Sequence, residues 1–240
     1  MPATTCVINP TRGPGEPRLP TRGVLAVNPS DSGHFAVLAQ QYGLKRHFLF
    51  NAQLYGNEEL FVAGPAVGAP MAVLCLEKLI ALGARQIVVY GWCGALGAGL
   101  RAGDVFLPTS GISEEGTSDH YPVEEIEQVD PLHLALADGL RRQGYAPRQG
   151  PIWTTDAVYR ETREKVEHYG AQGILAVDME YTALRTVAAF RQAHLAAVML
   201  VSDELYHREW VPRFPHKHFR TASRQLLAHL CGLLQSGEIS

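Results

Sequence analysis

Apolar positions along this chain follow two rhythms. Val24-Leu25-Ala26-Val27, Leu60-Phe61-Val62-Ala63, Val105-Phe106-Leu107, Ile174 to Val177 and Ala196 to Val201 are short continuous runs that read as strands, and Ile87-Val88-Val89-Tyr90 reads as a strand buried on both faces. Between them apolar residues recur at helical spacing. A helix is expected from Gly33 to Tyr42, closed by Gly43. Pro70 opens another through Val73, Leu74, Leu76, Leu79 and Ile80, with Gly83 just past its end. Leu132, Leu136 and Leu140 mark a third before Gly144, Glu180 to Ala193 a fourth, and Ala222, Leu226, Leu230 and Leu233 a last one. Such alternation predicts an α/β fold with a largely parallel or mixed sheet covered by helices. Residues 23–240 form one domain. Five prolines before residue 21 exclude helix from residues 1–22, where a loose Pro-rich arm is expected.

Composition narrows the function. At 240 residues and 46% hydrophobic content the chain buries roughly 70% of its unfolded surface and needs no disulfides or metal for its core. With 21 Lys+Arg against 24 Asp+Glu there is no basic surplus, which argues against nucleic acid as a partner. Cys6, Cys75, Cys93 and Cys231 are scattered, as reduced thiols are. No apolar run approaches the ~18 residues of a membrane span, and the N-terminus lacks the apolar core of a secretory signal. Cytoplasm is the expected compartment.

Gly91-Trp92-Cys93-Gly94-Ala95-Leu96-Gly97-Ala98-Gly99 follows the buried Ile87–Tyr90 strand. Gly97 to Ala102 formally matches a dinucleotide fingerprint, but Gly103-Asp104 and a new strand leave no room for the helix that the fingerprint requires. The segment reads instead as a glycine turn. Such a turn either aims backbone N–H groups into a crevice or packs tightly with no ligand.

Val67-Gly68-Ala69-Pro70, Leu82-Gly83-Ala84-Arg85, Gly91…Gly94-Ala95, Ala102-Gly103-Asp104-Val105, Val177-Asp178-Met179-Glu180 and Val201-Ser202-Asp203-Glu204 occur in one order. From about Gly23 to Leu205 the chain resembles the nucleoside phosphorylase/nucleosidase family, which includes uridine phosphorylase, hexameric purine nucleoside phosphorylase and methylthioadenosine/S-adenosylhomocysteine nucleosidase. The resemblance implies a central, partly barrel-like mixed sheet flanked by helices, a homo-oligomer, and cleavage of the N-glycosidic bond of a nucleoside. It implies that Glu180 binds ribose hydroxyls with Met179 against the sugar. A fixed negative charge there stabilises the oxocarbenium character of the breaking bond. Glu180 reads equally as a carboxylate offsetting a helix dipole. The resemblance implies that Asp203 is the acid facing a purine ring nitrogen, beside Ser202, and that Val158 and Tyr159 belong to the loop over the base. Ser202-Asp203 also reads as a helix cap, and Tyr159 as a surface tyrosine.

The departures concern the nucleophile. Phosphorylases of this family hold phosphate with two arginines and a hydroxyl. The corresponding positions here are Asp31, Val89 and Trp92, so the pocket formed by Gly91, Trp92, Cys93 and Gly94 lacks its phosphate contacts. A carboxylate there repels phosphate. The nucleosidase branch carries a glutamate at the Asp31 position, where it activates water, which favours hydrolysis. Val27-Asn28-Pro29-Ser30-Asp31 also reads as an ordinary turn and cap, and Trp92 as a side chain filling the site. Two alternatives stay open: a phosphorylase using substitutes such as Lys45 and Arg46, and a non-catalytic nucleoside binder. His216 and His218 lack cysteine or paired carboxylates nearby, so neither a metal nor another cofactor is expected beyond phosphate in the phosphorylase case.

Overall fold

The computed structural model describes residues 6–123 and 129–239. In chain order the elements are β1 (Arg22–Ala26), α1 (Phe35–Tyr42), β2 (Lys45–Leu49), β3 (Ala52–Gly56), β4 (Phe61–Gly64), α2 (Ala69–Leu82), β5 (Gln86–Ala95), β6 (Val105–Glu114), α3 (Pro131–Arg142), β7 (Arg148–Thr155), α4 (Arg163–Ala171), β8 (Ala176–Asp178), α5 (Tyr181–Phe190), β9 (His194–Glu204), β10 (Val211–Pro212) and α6 (Lys217–Gln235).

One mixed sheet runs β10-β9-β6-β7-β8-β5-β1-β4-β3-β2, and an additional parallel pairing of β5 with β9 closes five of its strands into a barrel-like ring. Strand periodicity explains the layers. In β1 and the residue after it, Leu25 and Val27 enter a core with Leu76 and Leu79 of α2, whereas Val24 and Ala26 face Phe35 of α1 and Leu226 and Leu230 of α6. The chain thus has a central mixed sheet with helices on both faces, as the resemblance implied. Among the described residues no helix is long and apolar enough to cross a membrane.

The sequence reading had no element at β7, α4 or β10, and three further features differ from its expectation. The hairpin of β2 and β3 was not legible, because Lys45-Arg46-His47 are polar and β2 is an edge strand with one neighbour. Strand β5 continues through Gly91 to Ala95, so the glycine turn begins later. The expected loose arm is docked from Gly13 onwards. Lys78 Nζ contacts Glu16 at 2.6 Å, Leu19 is buried, and its N–H donates to Leu82 O at 2.9 Å. The first five residues of the arm lie outside the described residues.

Gly23 of β1 lies opposite Phe61 of β4. A Cβ at Gly23 would overlap the Phe61 ring and lie 2.5 Å from its carbonyl oxygen, with backbone on one side and a fully buried ring on the other. Gly23→Ala is expected to lower stability by about 1–3 kcal/mol through overpacking. The check is the urea midpoint at unchanged slope; an unaltered midpoint would refute the contact.

Candidate active site

A cleft of about 250 Å³ opens where β1, β5, β8 and β9 end. Crevices beyond the carboxyl ends of parallel strands are where open α/β sheets bind ligands. Val27, Asn28 and Pro29 after β1 form one wall, and Trp92, Cys93 and Gly94 of β5 the next. Val177 and Asp178 of β8, followed by Met179 and Glu180, face Ser202 and Asp203 of β9. Val158, Glu161 and Phe214 complete the lining.

The β8–α5 junction sets Glu180. Asp178 accepts hydrogen bonds from the Thr154 hydroxyl (2.7 Å) and from the N–H groups of Tyr181 (2.8 Å) and Glu180 (3.2 Å), so Asp178 satisfies the start of α5. Glu180 precedes the helix without capping it, and its carboxylate instead accepts from the Gly68 N–H at 2.6 Å. Gly68 sits at φ +81°, a conformation glycine adopts without strain. Glu180 is 5% exposed, and burial, reinforced by Asp178, pushes its carboxyl above the usual range against the pull of the Gly68 bond.

Asp203 sits near the end of β9, opposite Pro212 of β10. Its carboxylate accepts from the Ser202 hydroxyl (2.5 Å) and from the Trp210 indole N–H (2.7 Å). A strand rather than a helix follows, so the helix-cap reading of Ser202-Asp203 falls away. A Cβ at Gly94 would overlap Leu205 and lie 3.2 Å from Asp203 Oδ2. Glycine there leaves the carboxylate its room.

Of the residues singled out by sequence, the cleft brings together Trp92, Cys93, Gly94, Val158, Met179, Glu180, Ser202 and Asp203. Three fall outside its lining. Gly91 faces inward, where a Cβ would meet Val27 at 2.6 Å and Met199 at 3.0 Å. Tyr159 is 98% exposed. Asp31 is 1% exposed, and its carboxylate accepts from the Ser223 hydroxyl of α6 at 2.5 Å. That hydroxyl also meets the Tyr90 hydroxyl at 2.6 Å and accepts from the Trp92 indole N–H at 2.8 Å. Burial pushes the Asp31 carboxyl up despite this bond. Asp31 therefore anchors a buried network behind Trp92 and lies outside the cleft lining. Trp92, packed against Phe214 and Phe219, is the wall that this network holds. Burial also pushes the Cys93 thiol up, which keeps it unreactive.

Of the lining residues to which the sequence reading gave no site role, Asn28 and Glu161 bear most on the chemistry. Asn28 accepts from the Asp31 N–H at 3.2 Å, while its amide nitrogen is the one buried side-chain polar atom without a partner among the described residues. Glu161 lies in a charged stretch, Arg160 to Arg163, that reads as a solvated loop. Folding turns it into the cleft, where burial, with Asp203 and then Asp178 nearby, pushes its carboxyl up to about 8. Among the lining residues four are carboxylic acids and none is Lys, Arg or His.

The Glu161 shift has a sign that can be measured. A carboxyl raised in the folded state adds stability below its unfolded pKa, and loses it as pH rises through the folded value. Relative to wild type, Glu161→Gln should gain in urea midpoint between about pH 5 and about pH 9, because it has no proton to lose. A pH-independent difference would remove Glu161 from the buried set.

Residues 21–235 match the model of the phosphorylase superfamily. The chain is 27% identical over 190 residues to a guanosine phosphorylase of Halorubrum lacusprofundi, spanning 75% of this chain and 78% of that protein. A uridine phosphorylase structure from Vibrio fischeri superposes with a TM-score of 0.77 at 18% identity, over 92% of this chain and 93% of that one. An AMP nucleosidase from Bacteroides thetaiotaomicron superposes with a TM-score of 0.70 at 22% identity, over 90% and 88%. The chain belongs to the phosphorylase superfamily, as an enzyme of its nucleoside phosphorylase family.

Proposed function

We propose that the protein hydrolyses the N-glycosidic bond of a purine nucleoside. The observation that carries this reading is the charge of the cleft: four carboxylic acids and no cationic lining residue. The lining offers no cation to hold phosphate, and any carboxyl that ionises about 5 Å from it repels it by about 3 kcal/mol at an effective dielectric near 20, so phosphate is disfavoured where a developing sugar cation is favoured.

In this mechanism Glu180 and Met179 hold the ribose, and the Glu180 carboxyl stabilises the positive charge that grows on the sugar. Asp203 delivers a proton to the purine ring nitrogen while the C1′–N bond breaks and its electron pair stays on the base. Water adds to C1′ from the wall formed by Asn28 and Trp92, and its proton returns to the Asp203 carboxylate. Asn28, with its unpartnered amide N–H, is the donor on that wall. Asp31 supports Trp92 from behind rather than activating water. No cofactor takes part.

The guanosine phosphorylase relative favours a second reading, phosphorolysis, with phosphate held by residues beyond this lining such as Lys45 and Arg46, which are exposed on β2. A homo-oligomer and a cytoplasmic location belong to the same proposal. A groove of about 580 Å³ along α2, with Leu74 and Tyr121 in its lining, supports self-association.

Incubation with purine nucleosides, with and without phosphate, separates the readings. Free ribose formed equally in both arms is the expected result, and ribose 1-phosphate formed only with phosphate would overturn hydrolysis. Asp203→Asn should lower kcat by about 10²–10⁴ while nucleoside binding stays measurable by calorimetry. A near-normal rate would remove Asp203 as the acid.

A further inference from the structure

Every carboxyl group in the cleft but one already has its donors. Asp178 takes the Thr154 hydroxyl and two backbone N–H groups, Glu180 takes the Gly68 N–H, and Asp203 takes Ser202 and Trp210. The Glu161 carboxyl takes none among the described residues. That carboxyl is partly exposed in the cleft, so it is open to a donor that a ligand brings.

The position of Glu161 is fixed. It ends a tight turn over Val158–Arg160, where its N–H donates to Val158 O at 3.3 Å. Thr162 then caps α4 through the Lys165 N–H at 3.4 Å. Arg163 donates to the carbonyls of Leu205 (2.7 Å) and His207 (2.5 Å), which ties this turn to the segment that follows Asp203. Glu161 is thereby held on the Asp203 side of the cleft, beside Val158, where the nucleoside reading puts the base.

We infer that Glu161 is a specificity residue that holds the exocyclic amino group of an aminopurine base. The inference rests on the nucleoside reading above. A carboxyl oxygen accepts from an amino N–H whether or not the group is ionised. Its neutral form, favoured by burial and by Asp203, also offers an O–H beside that acceptor. This pair complements an amino group next to a ring nitrogen. A base without the amino group leaves Glu161 unpaired, and sites built around such a bond discriminate strongly against analogues that lack it.

The test compares adenosine with purine riboside, and guanosine with inosine, for wild type, Glu161→Ala and Glu161→Gln. In wild type at least one amino nucleoside should exceed its deamino partner by about tenfold or more in kcat/KM, the effect of about 1.4 kcal/mol. That ratio should fall towards one in Glu161→Ala and survive in part in Glu161→Gln, whose amide oxygen still accepts. A merely structural role would change both partners of a pair alike. The ratio of calorimetric Kd values for the same pairs reads the inference without turnover. Cleavage or binding with ratios near one in wild type, or ratios unchanged in Glu161→Ala, would overturn the role of Glu161 and leave the nucleoside reading standing. Absence of both cleavage and binding for all four would overturn the two together.

Discussion

Strand β5 lies against β1 along its first half, against β8 at its end and against β9 throughout, and its pairing with β9 closes the barrel-like ring. It is possible because the second half of β5 carries glycine where Val27, Met199 and Leu205 pack. Side chains at Gly91 or Gly94 would force the neighbouring strands apart. The cleft depends on this closeness, since it brings the ends of β1, β5, β8 and β9 to one place. Glu180 and Asp203, distant in sequence, become facing walls through it.

The same closeness sets the electrostatics. Four carboxylic acids share a cleft without a cation in its lining, and for Glu161, Asp178 and Glu180 desolvation, with nearby acids adding to it, favours the neutral form. On the proposed reading such a site suits proton transfer, and a ligand that becomes positive as it reacts. Glu180 and Asp203 are held by specific donors, the Gly68 N–H and the Trp210 indole, which fix direction as well as charge. Rigid placement of this kind lets an electrostatic effect count in a transition state rather than dissipate in reorganisation.

Asp31 shows what a spacing argument leaves out. Its place in the loop after β1 matched a functional position of the family, yet α6 crosses behind that loop and presents Ser223. One hydroxyl then serves Asp31, Tyr90 and Trp92 together. Ser223 and Asp31 are 192 positions apart, and no local pattern links them.

The alternation of apolar runs with amphipathic helices, the proline and glycine at the ends of α2 and the Asp178-Met179-Glu180 junction were legible in the chain, because each is set by neighbours a few residues away. Residue order along the strands also carried the likeness that brought Glu180 and Asp203 to notice. Tertiary structure alone decided that β5 runs on through its glycines, that β2 and β3 pair at the sheet edge, that Asp31 turns inward and that Glu161 turns into the cleft. These outcomes follow from contacts between segments far apart in sequence. Whether a carboxyl meets water, a hydroxyl or another carboxyl is decided by what the fold lays against it.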